Sequence, residues 1–337
     1  MPAPASRPRG ERRWRGGAFG LQLEADFFAA GLLEEDADRP AGHPRESGRA
    51  CSLALVCADE LEAHWPLEQA RVLCDLHDRA GRRLLTIEEH PEGGYQFDAP
   101  AYGRYVVARD GGRILCVPGD QPDWEWQAFL IGQVLPLAAV LHGRVAMHAS
   151  AVSLGDHVIG LVAESRGGKS SLAINLIRHG AAFVADDVVA LERAGERILV
   201  HPGPRLASVR HAEADALGPT ALQHLGALVG RDEHEQRVTL QGEPRTLRLA
   251  ALYFIERSEE VSHGAIRELE PGPSLLLGHT FSNLVRTPAL RVGQLDVFSQ
   301  IARTVPTFTA TVSPDSNAYS LAGSIHEHAL RVIGGAA

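Results

Sequence analysis

The sequence predicts an α/β protein in which a phosphate-binding-loop domain follows a smaller, β-rich α+β domain. Three observations predict it. Strand-like and helix-like runs alternate from residue 145 onward. Residues 163–170 read Ala-Glu-Ser-Arg-Gly-Gly-Lys-Ser, between a strand-like run at 157–162 and a helix-like run at 170–179. Residues from about 21 to 120 carry short β-favouring runs separated by glycine-rich turns. The expected boundaries are a disordered tail over 1–20, a β-rich domain over 21–122 and the phosphate-loop domain over 123–337.

The elements follow in order. Arginine and proline crowd the N-terminus and leave little to bury, which predicts a tail. An acidic run at 33–39 and the Pro/Gly-rich stretch after it predict a loop. Strands are expected at 52–56, 84–88, 95–97, 105–108 and 113–117, with a helix near 60–80. Asp123 is a candidate N-cap for a helix over 124–142. Its Trp126, Phe129, Leu130, Val134, Leu137 and Leu141 recur at spacings of three and four, the signature of a core-facing helix. Strands are then expected at 145–152, 157–162, 182–185, 188–191, 198–201 and 250–255. A helix is expected near 212–229, and the charged stretch 230–238 reads as a mobile surface loop. Helices near 274–284 and 297–304, a strand at 307–311 and a helix at 318–333 complete the chain.

Composition narrows the function classes. With 337 residues, 45% of them hydrophobic and 22% charged, the chain is an ordinary globular one. A net charge of −9 argues against a general nucleic-acid binder. The most apolar stretch, 129–141, is too short to span a membrane and contains Pro136. Cys51, Cys57, Cys74 and Cys116 fit no zinc spacing, and reduced thiols in a cytoplasmic protein are expected.

The loop carries the chemistry. Backbone N–H groups of such a loop, and of the helix it opens, point at an anion. Lys169 adds a point charge, and the Ser170 hydroxyl suits Mg²⁺. Ala163 stands where such loops usually begin with glycine, so the loop requires a negative φ there. The pair Asp186-Asp187 ends the next apolar run, sixteen positions beyond Ser170, where it suits a metal or a proton.

Taken together, His148, Gly167-Gly168-Lys169-Ser170, Gly180 and Asp186-Asp187 resemble, in that order, the kinase domain of bacterial HPr serine kinase/phosphorylase. The resemblance covers residues 144–191. Within that group the chain looks most like the kinases encoded beside lasso-peptide and other ribosomal-peptide pathways. It implies an HPr-kinase-like, PEP-carboxykinase-like core that uses ATP and Mg²⁺ to phosphorylate a serine hydroxyl. For the lasso branch, that serine ends the precursor peptide. The resemblance puts Asp186, His148 and Lys169 in catalysis, with Asp186 as base and Asp187 facing the metal beside Ser170, or the reverse. Glu164, Ser165, Arg166, Gly167, Gly168, Lys169, Ser170 and Ser171 would bind the nucleotide. Arg205, Arg210 and Arg286 are candidates for the peptide. The partner expected is a peptide substrate, without nucleic acid or membrane, and the family's assemblies suggest a homo-oligomer. No glycine-rich dephosphorylation signature follows the aspartates. A kinase of another protein or small molecule, and a nucleotide-binding scaffold without catalysis, are the alternatives.

Overall fold

The structure, a computed structural model, describes residues 14–34, 49–66, 68–164, 167–258, 265–281, 287–312 and 317–335. It is a mixed α/β structure with three sheets.

The first sheet has nine strands: β1 (Trp14–Ala18), β2 (Leu21–Ala25), β3 (Leu33–Glu34), β4 (Arg49–Leu55), β5 (Arg71–His77), β6 (Arg83–His90), β7 (Gly94–Ala99), β8 (Gly103–Val107) and β9 (Arg113–Pro118). Their spatial order is β3-β1-β2-β4-β9-β8-β7-β6-β5. Two expectations are corrected here. The stretch assigned to a tail contains β1, whose Ala18 is buried and whose five residues pair with β2. The single helix expected near 60–80 is a short helix, α1 (Ala58–His64), followed by the edge strand β5. Alternating Val72, Cys74 and Leu76 satisfy a period of two as readily as a helical stripe, and pairing with β6 decides the outcome.

The helical run after β9 comprises α2 (Asp123–Phe129), a wide π turn (Leu130–Val134) and α3 (Leu135–Leu141). Pro136 lacks the N–H that a regular helix would need there, and the widened turn immediately precedes it. Asp123 is the first helical residue rather than a cap, and its carboxylate accepts from the Trp126 indole at 3.0 Å. Trp126, Leu130, Val134 and Leu137 are buried against Phe97, Tyr105 and Ile114 of the first sheet. Among the described residues, this is the one helical run long and apolar enough to cross a membrane; most of it is buried in this core.

The central sheet contains β10 (Val145–Met147), β11 (Ser150–Leu154), β12 (His157–Val162), β13 (Ala182–Ala185), β14 (Val189–Ala194) and β15 (Arg197–His201). A small antiparallel sheet of β16 (Leu206–Arg210), β17 (Gly226–Arg231) and β18 (Glu235–Leu240) stands beside it. The chain then returns to the central sheet through β19 (Leu247–Arg257), β20 (Ile266–Glu268) and β21 (Thr307–Val312). The path runs β10-β14-β15-β19-β12-β11-β13, and β19 is parallel to both β12 and β21. Parallel strands are covered on both faces. Here α4 (Lys169–Arg178) and α9 (Ala318–Gly335) bury Leu172, Leu176, Leu321 and Ile325 on one face. On the other, α7 (Pro273–Gly278) and α8 (Pro288–Thr304) bury Leu276, Phe298 and Ile301.

The strand expected over 145–152 is broken at His148-Ala149. The helix expected near 212–229 is two short helices, α5 (His211–Leu217) and α6 (Pro219–Leu225), split by Gly218-Pro219 and followed by β17. The surface loop expected at 230–238 is largely strand, because β18 pairs with both β16 and β17 and buries Val238.

Candidate active site

Sheet topology brings the predicted residues together. β11 runs antiparallel to both β12 and β13, so its start meets their ends. His148 and Ser150 lie at that start, the phosphate loop leaves the end of β12, and Asp186-Asp187 leave the end of β13.

The loop is shaped by close contacts. Gly168 is the N-cap of α4 with φ 95°, a left-handed conformation suited to glycine. Gly167 is required for a different reason. A Cβ there would lie 2.6 Å from the Ala163 Cβ and 2.9 Å from the Glu164 carbonyl oxygen. Ala163 is 4% exposed and part of the core beside α4. It is not among the described residues with positive φ, so it meets the condition set for it by the sequence. Ser165 and Arg166 lie outside the described residues.

Lys169 is buried, 7% exposed, and folds back across the loop. Its Nζ donates to the Ala163 carbonyl at 2.9 Å and to His148 Nε2 at 3.1 Å. Burial pulls its ammonium below the usual lysine range, opposed by Asp187, Asp186 and Glu164. One tautomer of His148 satisfies every contact. Nε2 accepts from Lys169, while Nδ1–H faces the Asp187 backbone oxygen at 3.1 Å and its carboxylate at 3.3 Å.

The two aspartates diverge. Asp186 turns inward, and its Oδ1 accepts from the hydroxyls of Ser150 at 2.6 Å and Ser170 at 2.9 Å. Burial holds its carboxyl above the usual range, while those hydroxyls favour the ionised form and the Asp187 charge opposes it. Asp187 has φ 67°, within a three-residue turn closed by Val188 N–H to the Asp186 carbonyl at 2.8 Å. Positive φ is uncommon outside glycine, though aspartate tolerates it better than most residues. The turn leaves the Asp187 side chain 55% exposed beside His148.

A cleft of about 420 Å³ opens in front of these groups. Ala163, Glu164, His148 and Asp187 line it, together with a second wall formed by Gln133 and residues 278–281. This second wall was not legible as a site, because no motif marks it. It is a strap held alongside β10: His148 N–H donates to the His279 carbonyl at 2.7 Å, and Phe281 N–H donates to the Ala146 carbonyl at 2.9 Å. Sequence reasoning also missed Glu213 of α5, whose carboxyl burial holds above the usual range, with Ser171 and Arg210 favouring the ionised form.

Of the candidate peptide-binding arginines, Arg205 and Arg210 do not line the cleft. The Arg205 N–H donates to the Gly31 carbonyl, and the charge of Arg210 acts on Glu213. Arg286 lies outside the described residues. Among the described residues, no three His, Cys, Asp or Glu side chains form a metal site by themselves. The donors present fit magnesium nonetheless: Ser170 Oγ and the Asp186 carboxylate are hard oxygen ligands side by side. Magnesium is commonly held by one or two carboxylates, with phosphate and water completing its shell.

No family model matches the chain, and no curated protein matches it. Among solved structures it is similar to the Hpr(Ser) kinase/phosphatase from Coxiella burnetii, at 12% identity and a TM-score of 0.31, over 56% of this chain and 99% of that one. A likeness of that size does not place the chain in a family.

Proposed function

We propose that the chain is an ATP- and Mg²⁺-dependent kinase that transfers the γ-phosphoryl group to a hydroxyl. One observation carries this reading. A phosphate loop with a buried lysine, a carboxylate bound to the loop serine, and an exposed carboxylate beside a histidine all meet where β12 and β13 end and β11 begins.

The residues divide the work. The loop N–H groups and Lys169 hold the phosphates and balance charge during transfer. Ser170 and Asp186 would hold Mg²⁺, which neutralises phosphate oxygens when bound. Asp187 faces the cleft and takes the proton, positioned by His148. This assignment reverses the order first preferred for the two aspartates. It is favoured because Asp186 is already engaged by two hydroxyls, whereas Asp187 is open. The acceptor oxygen bonds to the γ-phosphorus as the bond from that phosphorus to the β–γ bridging oxygen breaks. ADP leaves with the electron pair, and the acceptor proton passes to the Asp187 carboxylate.

Serine on a peptide, and the lasso precursor in particular, is the acceptor supported by the sequence resemblance. Intact-mass analysis of candidate precursor peptides incubated with ATP and Mg²⁺ tests the reading. Phosphorylation by the wild type, lost in Lys169→Met, supports it. Nucleotide binding without transfer to any peptide or small hydroxyl compound would sink it in favour of a scaffold.

A further inference from the structure

The short turn between β1 and β2 reaches from the first sheet to the strand end that carries the two aspartates. Ala18 pairs with Leu21, so Phe19 and Gly20 form a two-residue hairpin loop. Their φ angles are 57° and 75°, both positive, as a type I′ turn requires. Asparagine, aspartate or glycine usually fills the first of those positions, and a bulky side chain there is strained. Besides Phe19, the described non-glycine residues with positive φ are Gln69 and Asp187. Strain of this kind persists only where the surroundings over-determine it, and it clusters at functional sites.

The surroundings of Phe19 do so. Its N–H donates to the Pro202 carbonyl at 2.7 Å. Phe19 is 1% exposed and shares one core with Val188, the residue after the two aspartates. Gly203 connects it to the residue before them. The Gly203 N–H donates to the Val184 carbonyl at 2.8 Å. A Cβ on Gly203 would lie 2.8 Å from the Ala185 Cβ and 3.5 Å from Phe19 Cε1. Gly20 seats the turn: a Cβ there would lie 2.8 Å from His201 Nδ1 and 2.9 Å from Arg144 Nε. Those two side chains are held by the Glu192 carboxylate, 2.8 Å from His201 Nε2 and 2.6 Å from Arg144 Nη1. The Asp186-Asp187 turn is thus bracketed. Ala185 before it lies against Gly203 beside the Phe19 ring, and Val188 after it is buried in the core of the first sheet.

We propose that Phe19 is a positioning residue for phosphoryl transfer: its ring, wedged against residues 202–203, holds the strand end that aims Asp187 at the cleft. The first sheet is thereby a working part of the site. The proposal rests on the kinase reading, in which Asp187 takes the acceptor proton. Being buried, Phe19 acts through Ala185 and Val188. A shorter side chain leaves the hairpin paired but lets the aspartate turn shift. That costs rate more than nucleotide affinity, because the phosphate loop leaves β12 and the aspartates leave β13.

The test compares Phe19→Leu with Phe97→Leu in the full chain. Phe97 lies on β7 in the same core and is equally buried, so the two variants remove the same volume at different distances from the aspartates. Both are expected to lower the unfolding temperature. Only Phe19→Leu is expected to lower kcat toward candidate precursor peptides, by about tenfold with KM for ATP held within about twofold, as a slightly misplaced catalytic group implies. Phe19→Met, longer and able to fill irregular gaps, should recover part of that loss. Hydrogen–deuterium exchange reads the same contact without any acceptor: the segment 184–188 should exchange about tenfold faster in Phe19→Leu than in Phe97→Leu. Equal kcat or equal exchange in the two variants overturns the assignment. If Phe19→Leu does not fold, Phe19→Met is scored against Phe97→Leu by the same two measures. A wild type that transfers label to no peptide or other hydroxyl compound overturns the kinase reading instead, and the exchange comparison still decides whether Phe19 holds the aspartate turn.

Discussion

Gly167→Ala perturbs the phosphate loop through one added methyl group. Its Cβ would sit 2.6 Å from the Ala163 Cβ, so the two carbons must part by about 0.8 Å to reach ordinary contact near 3.4 Å. The Glu164 carbonyl, at 2.9 Å, blocks the other side. Overpacking of this kind costs about 1–3 kcal/mol. Displacement of a positioned phosphate group by about 1 Å costs roughly 10²-fold in rate. Gly167→Ala is therefore expected to lower phosphoryl transfer by about 10²-fold. Ala163→Gly alone removes a buried methyl and frees the backbone, at about 1 kcal/mol of stability. It also removes one of the two obstructing contacts. The double variant should recover about tenfold of the activity lost in Gly167→Ala, leaving the Glu164 contact as the remainder. The assay is a double-mutant cycle on kcat/KM for ATP, with thermal unfolding measured alongside. Contacting pairs couple by about 0.5–3 kcal/mol. Additive losses, or wild-type transfer by Gly167→Ala, would refute the account of why alanine at 163 and glycine at 167 belong together.

Further expectations follow from the same contacts. Gly168→Ala meets no atom within 4 Å, so its cost is backbone strain at φ 95°, about 1–2 kcal/mol, read as a lower unfolding temperature. Asp186→Asn keeps an oxygen for Ser150 and Ser170 but removes a half-buried charge; transfer should fall by about 10²-fold or more. Its effect on stability has a definite sign. A carboxyl whose folded-state pKa is raised loses stability as pH rises through the carboxylate range. The Asn variant should therefore be the more stable protein above that range and gain nothing below it, which unfolding curves across pH will show. His148→Ala releases Lys169 and Asp187 together, and kcat should fall by about 10²-fold. His148→Gln, able to donate and accept, should recover part of that loss, as steady-state kinetics will show.

The phosphate loop, the strand before it, the helix after it and the aspartate pair were legible because each is written in a short local run. Even the departure at Ala163 was visible, although its contact with the Gly167 position was not. His148 was legible only as part of an ordered set, since its role depends on β11 running antiparallel to β12 and β13. The wall made by Gln133 and residues 278–281 was hidden, because it is assembled from a helix turn and a strap more than a hundred residues apart. Glu213 carried no signal for the same reason. β5 and β18 were misread where short-range periodicity and charge pointed one way and strand pairing decided otherwise. In the first sheet, β1 was hidden by the arginine-rich sequence around it, yet its alternate residues are buried through pairing with β2.

Label transfer under single-turnover conditions tests the central claim most directly. Enzyme in excess over γ-labelled ATP, with Mg²⁺ and candidate serine-containing precursor peptides, is quenched over time and the products are separated. The account predicts that label moves onto peptide hydroxyls, and that Asp187→Asn still binds ATP but slows the transfer by at least about 10²-fold. Transfer by Asp187→Asn at the wild-type rate would contradict the assigned base, and label recovered only as unreacted ATP or inorganic phosphate would contradict the kinase itself.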